Sequence, residues 1–142
     1  MAVLDLSKVK IAEKVAEFAH PLGFKIKLAY LPVSIEREIS KSCIVPKYEK
    51  GKLVDDVDTD RFYSLMAPKI IKGWSGLTFG MLKELVSIGN ADEIELKDED
   101  EIDFSIDSAI LLLKENTDFD NWVQGHRGDL SYFNALEQAE KN

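Results

Sequence analysis

Few residues of this chain are equipped for chemistry, and their spacing decides what each can do. Asp56, Asp58 and Asp60 stand at the spacing of the first three ligands of a calcium loop, a set of hard oxygens that suits that ion. The sixth loop position is Arg61, where the turn needs glycine, and the twelfth is Ala67, where a bidentate glutamate belongs. The triplet therefore reads as a loop entering a helix whose acidic first turn complements the dipole. Asp98-Glu99-Asp100-Glu101 has no turn glycine and reads as a solvated loop. Cys43 is the only cysteine, which removes an internal disulfide and any thiolate-rich metal centre. A cysteine nucleophile needs a base beside it, but Cys43 is followed by Ile44 and Val45 and reads as a buried structural residue. His20 precedes a turn and His126 sits in Gly125-His126-Arg127-Gly128, so both read as surface histidines with no neighbouring histidine to complete a metal pair. There is no GxxxxGK(S/T), GxGxxG or GxSxG. We expect no catalytic residue, no cofactor and no metal site, and no enzymatic activity.

Lys25, Lys27, Lys47, Lys50 and Lys52, with Tyr30 and Tyr48 as stacking partners, are the one set that suits a single strand of nucleic acid. The net charge of −8 opposes that use, and solvated lysines protecting sheet edges are the simpler reading. Trp74 and Trp122 are large anchors at element ends, expected in the core, with a partner hot spot as the rival role.

These residues belong to a chain of 142, the length of one domain, with 45% apolar and 31% charged residues, enough to bury a core. The longest apolar run, Ala109 to Leu113, stops at Lys114, far short of a bilayer span. No basic stretch followed by an apolar segment opens the sequence, so the expected address is the cytosol. The acidity is regional. From Asp92 to Asp120 twelve acids face only Lys97 and Lys114, leaving the rest of the chain near neutrality.

The pattern predicts an α+β fold in one domain: a small antiparallel β-hairpin element near the N-terminus, β-rich over about 14–57, then a mainly helical body over about 58–140. Phe24, Ile26, Leu28 and Tyr30 alternate with Lys25, Lys27 and Ala29, so 24–31 reads as a half-buried strand. With Pro21-Leu22-Gly23 as the turn it pairs with 14–20; an amphipathic helix over 8–18 is the competing assignment. Ser34 caps a short helix carrying Ile35 and Ile39, and 43–57 forms a second hairpin around Lys50-Gly51, with Pro46 confining its first strand to an edge. Asp58 or Thr59 caps a helix through Phe62, Leu65 and Met66 that ends at Ala67 or kinks at Pro68 before Ile70, Ile71 and Trp74. Thr78 caps a helix to about Ser87, and 92–103 is an exposed loop with a short strand at 93–96. Ser105 begins a strongly apolar helix, 106–115. Thr117 caps another, carrying Phe119, Trp122 and Val123 and stopped by Gly125. Leu130, Phe133 and Leu136 mark a last helix that frays.

Three segments, taken in order, resemble bacteriophage tail assembly chaperones, the small proteins encoded between the tail tube and tape measure proteins. They are Phe24 to Leu31 with the following Ile35-to-Ile39 helix; Arg61-Phe62 through Ile70-Ile71-Lys72-Gly73-Trp74-Ser75-Gly76-Leu77-Thr78; and Asp103 to Lys114 followed by Phe119-Asp120-Asn121-Trp122-Val123. Pro68 departs from the pattern, in a helix that usually runs on smoothly. The resemblance implies no catalysis. It implies a homo-oligomerising protein of the host-cell cytoplasm that binds the tape measure protein and keeps it soluble until the tail tube assembles. Candidate partner-binding residues are Leu112, Phe119, Trp122 and Val123. The rival readings are a structural virion or tail-junction protein and a single-strand nucleic-acid-binding module.

Overall fold

The computed structural model describes residues 2–141. It is α+β, an antiparallel β-rich N-terminal region followed by helices. Strands β1 (Val15–Ala19) and β2 (Lys25–Ala29) pair antiparallel, with Phe18 opposite Ile26 and Ala16 opposite Leu28. Residues directly opposite share a face, so the alternation in β2 delivers Ile26 and Leu28 to the core while Lys25 and Lys27 face out. Gly23, at φ 111°, makes the turn that a residue with a Cβ adopts only under strain. The hairpin, and not the helix over 8–18, is what forms.

Helix α1 (Val33–Ser42) follows directly and buries Ile39. Its N-cap position is Pro32, whose ring has no hydrogen-bonding group to offer, so Ser34 lies in the first turn and does not cap. Strands β3 (Ile44–Glu49) and β4 (Lys52–Val57) form a separate two-stranded sheet joined by Lys50 and Gly51. Both turn residues have positive φ, 52° and 77°, the geometry of the tight turn that matches strand twist.

Helix α2 (Thr59–Ile70) is capped by Asp58, whose carboxylate accepts from Arg61 N at 3.1 Å. The helix runs through Pro68, which is exposed, and ends three residues later than Ala67. The next element is a strand and not more helix: β5 (Ile71–Ser75) pairs antiparallel with β2, giving the sheet order β1-β2-β5. Ile71 and Trp74 are three apart, a helical spacing, and on a regular strand they would point to opposite faces. The register slips between Lys27 and Leu28, placing Ile71 opposite Leu28 and Trp74 opposite Ile26, with Lys72 as the extra residue. This bulge turns both onto the core side, which is why the spacing reads as helical in the sequence.

Thr78 caps α3 (Phe79–Leu85), accepting from Met81 N at 3.2 Å. The acidic segment after it has exposed side chains, but its backbone is tied down. Ile102 N donates to Leu77 O at 2.7 Å, Gly80 N to Asp98 O at 2.9 Å, and the Trp74 indole N–H to Ile102 O at 3.0 Å. Gly80 permits this approach, because a Cβ there would lie 3.2 Å from Asp98 O. Residues 93–96 form no strand; Ala91–Glu93 is a single 3-10 turn.

Ser105 caps α4 (Ile106–Glu115). The next helix, α5 (Thr117–Arg127), is capped by Asn116 and not Thr117, since a hydrogen bond from Phe119 N reaches Asn116 Oδ1 at 2.8 Å. It passes through Gly125 and ends at Gly128. Helix α6 (Leu130–Lys141) follows and buries Phe133. The core lies between the three-stranded sheet and the helices. Phe18, Ile26, Leu28 and Ile71 from the sheet join Met66 and Ile70 of α2, and α4 and α5 close the layer. No helix among the described residues is long and apolar enough to cross a membrane.

Candidate functional site

Of the four sequence-selected candidates, three are core. Leu112 is 0% exposed, Phe119 1% and Val123 0%, so in this structure they hold α4 against α2 and α5, and α5 against the sheet, and offer a partner no surface. The reason is periodicity. Residues three and four apart on an amphipathic helix share its core-facing stripe, and the apolar stripe visible in the sequence is the one the core covers. Trp122 is half-buried at the edge of that stripe.

Trp122 brings the two histidines together. The His126 ring lies 4.4 Å from it by centroid and the His20 ring 4.9 Å, and His20 stacks on Phe24 at 4.5 Å. The expectation of two ordinary surface histidines is corrected: both are half-buried in one aromatic cluster with Phe18. His20 Nδ1 accepts from Leu22 N at 3.1 Å, and His126 Nδ1 lies 2.8 Å from Trp122 O. Burial holds His20 below the ordinary histidine range, and the charge of His126 adds to this. Elsewhere, burial and a 2.8 Å hydrogen bond to Asp120 push Tyr63 up to about 12, tying α2 to α5.

The apolar surface that is open lies elsewhere, on the β3–β4 hairpin. Ile44 faces Val57, Pro46 faces Asp55 and Tyr48 faces Leu53 across the strands, so one face is almost wholly apolar. Tyr48 is 77% exposed and Leu53 62%. The opposite face is mixed, carrying Val45 and Val54 with Lys47, Asp56, Glu49 and Lys52, and Lys47 and Asp56 are paired at 3.7 Å. A two-stranded sheet exposed on both sides is marginal in water. This one is held at its base by buried Cys43, whose carbonyl accepts from Asp58 N at 2.8 Å. The N-terminal arm adds exposed Val3, Leu4, Leu6 and Ile11. Sequence reasoning assigned the hairpin but not its exposure. The sequence carried no signal of it, since Val45, Val54 and Asp55 break the alternation and the helices on either side, with Ile35, Ile39, Phe62 and Leu65, offer apolar residues that could cover the face.

The five lysines considered for nucleic acid are divided between the two sheets, Lys25 and Lys27 on β2 and the rest on the hairpin. Lys25 pairs with Glu17 at 3.8 Å, which further weakens a phosphate track. Among the described residues no group of three or more His, Cys, Asp or Glu is placed to hold a metal ion. Asp58 is committed to capping α2, and Asp60 pairs with Lys114 at 2.7 Å.

No family model, no curated protein and no solved structure matches this chain. Its functional reading therefore rests on its own surface, above all on the apolar hairpin face and the half-buried Trp122.

Proposed function

We propose that this protein is a non-enzymatic phage tail assembly chaperone that self-associates, binds the tape measure protein in the host cytoplasm and keeps it soluble. The observation that carries the reading is the β3–β4 hairpin, which holds an apolar face of Ile44, Val57, Pro46, Tyr48 and Leu53 clear of the core. Contiguous exposed apolar surface of this kind marks a binding site. An exposed apolar face of this kind suits a long amphipathic helix, whose apolar stripe would otherwise aggregate, and many weak contacts repeated along such a partner add by multivalency. The exposed arm supplies further apolar contacts of the same type, to the partner or to a second copy.

The test is co-expression with a tape measure fragment, reading the soluble fraction of the fragment. Tyr48→Asp with Leu53→Asp abolishes its recovery in soluble form while the circular dichroism and melting of the chaperone stay unchanged, because neither side chain touches the core. Full solubilisation by the double variant, or an insoluble fragment with the wild type, rejects the reading. Mass spectrometry of finished particles separates it from a structural virion protein, which remains in them where a chaperone does not.

A further inference from the structure

A cavity of about 340 Å3 opens between the β1–β2 turn, the end of α3 and the first half of α5. Its open aromatic lining comes from His20 and Trp122, Phe119 being buried, and its charged lining is Glu84 and Asp118. Both acids are exposed, and among the described residues neither is paired with a lysine or arginine. No basic side chain other than His20 lines the cavity. The walls are held in place by Asn116, whose amide donates to Leu85 O at 2.8 Å while its Oδ1 accepts from Phe119 N, joining the end of α3 to the start of α5. The Trp122 indole N–H donates to no protein group among the described residues, whereas that of Trp74 is satisfied by Ile102 O.

The sign of the site follows from its charges. The N-terminus of α5 contributes about half a positive charge, which by itself favours an anion. Asn116 already takes the Phe119 N–H, and Asp118 and Asp120 in the first turn outweigh the dipole, with Glu84 adding a third carboxylate from α3. Aromatic faces carry the negative part of their quadrupole and attract a cation. Burial keeps His20 neutral near pH 7, so that ring joins the aromatic lining without repelling a cation.

We propose that this cavity takes a single arginine or lysine side chain from a basic segment of the bound partner, between the aromatic rings and the Glu84 and Asp118 carboxylates. The inference deepens the chaperone reading and rests on it for the partner's identity, while the pocket chemistry is testable with no phage protein present. The probe is a fluorescein-labelled nonapeptide with one central arginine among leucines and serines, compared with the same peptide carrying neutral, isosteric citrulline. By anisotropy the citrulline peptide binds about tenfold more weakly, the scale of one cation held by rings and carboxylates. Glu84→Gln with Asp118→Asn removes that difference by weakening the arginine peptide alone. These are surface changes that leave the fold intact, and circular dichroism verifies it. Equal binding of both peptides, an arginine peptide indifferent to the double variant, or no saturation at millimolar peptide overturns the proposal. A tape measure fragment that stays insoluble with the wild type, while the peptide result holds, rejects the chaperone reading and leaves the cation site standing.

Discussion

Arg127 shows at the scale of one residue how this fold treats charge. It is 6% exposed on α5, with its guanidinium 2.9 Å from Glu36 of α1 and its Nε 2.9 Å from Gln124. Removing one member of a buried pair strands the other, so Glu36→Ala costs about 2–3 kcal/mol in urea denaturation, discounted for the partial exposure of Glu36. Adding Arg127→Met to Glu36→Ala restores most of the loss, which a simple sum of two destabilising changes does not predict. His20 gives the pH counterpart. Its folded pKa lies below its unfolded value, so the unfolded state binds the proton more readily. That contribution is complete above about pH 6.5 and is lost as pH falls through the lower folded value. Of the groups around it, His126 opposes the charge and Glu84 and Asp118 face it across the cavity. The melting temperature of the wild type therefore falls between pH 7 and 5.5, and His20→Gln flattens that dependence; an unchanged slope rejects it.

Helix boundaries set the next scale, and two of them test the balance between propensity and packing. Gly125 sits inside α5 with nothing within 4 Å of a Cβ built there. Gly125→Ala adds helix propensity without a clash and stabilises by about 0.5–1 kcal/mol. Pro68 is exposed inside α2 and withholds a helical N–H. Pro68→Ala restores it, worth up to about 3 kcal/mol in a helix interior but less near this C-terminus, and gives back about 0.4–1 through the unfolded chain. A net gain of roughly 1–2 kcal/mol is expected in denaturant midpoints; a loss would mean that Pro68 is needed to end α2 and start β5. That junction was the element hardest to read. Ile70, Ile71 and Trp74 have helical spacing, and only pairing with β2, across a bulge at Lys72, makes Ile71–Ser75 a strand.

For the molecule as a whole, surface and core separate cleanly. The core unites sheet and helices, while the β3–β4 hairpin and the arm through Ile11 stand outside it. The native protein accordingly binds an apolar dye such as anilinonaphthalene sulfonate without unfolding. Deleting residues 2–9 together with Tyr48→Ser and Leu53→Ser removes most of that signal while the melting temperature moves by no more than about 2 °C, the small effect expected of exposed sites. A large fall in melting temperature would place these residues in the fold.

Short-range chemistry was legible in the sequence. Alternation named β2, Gly23 and Lys50-Gly51 marked the turns, and Asp58, Thr78 and Ser105 marked helix starts, because each signal acts over a few residues. The α+β class followed from the order of those signals. The tertiary structure alone decided which apolar residues are available. Leu112, Phe119 and Val123 are as apolar as Tyr48 and Leu53, yet the first three meet the core and the last two meet solvent. It also decided that His20 and His126, more than a hundred residues apart, would share Trp122, and that the end of α3 would bring Glu84 beside Asp118. Contacts at such separation depend on how elements pack, and packing is a property of all the faces together.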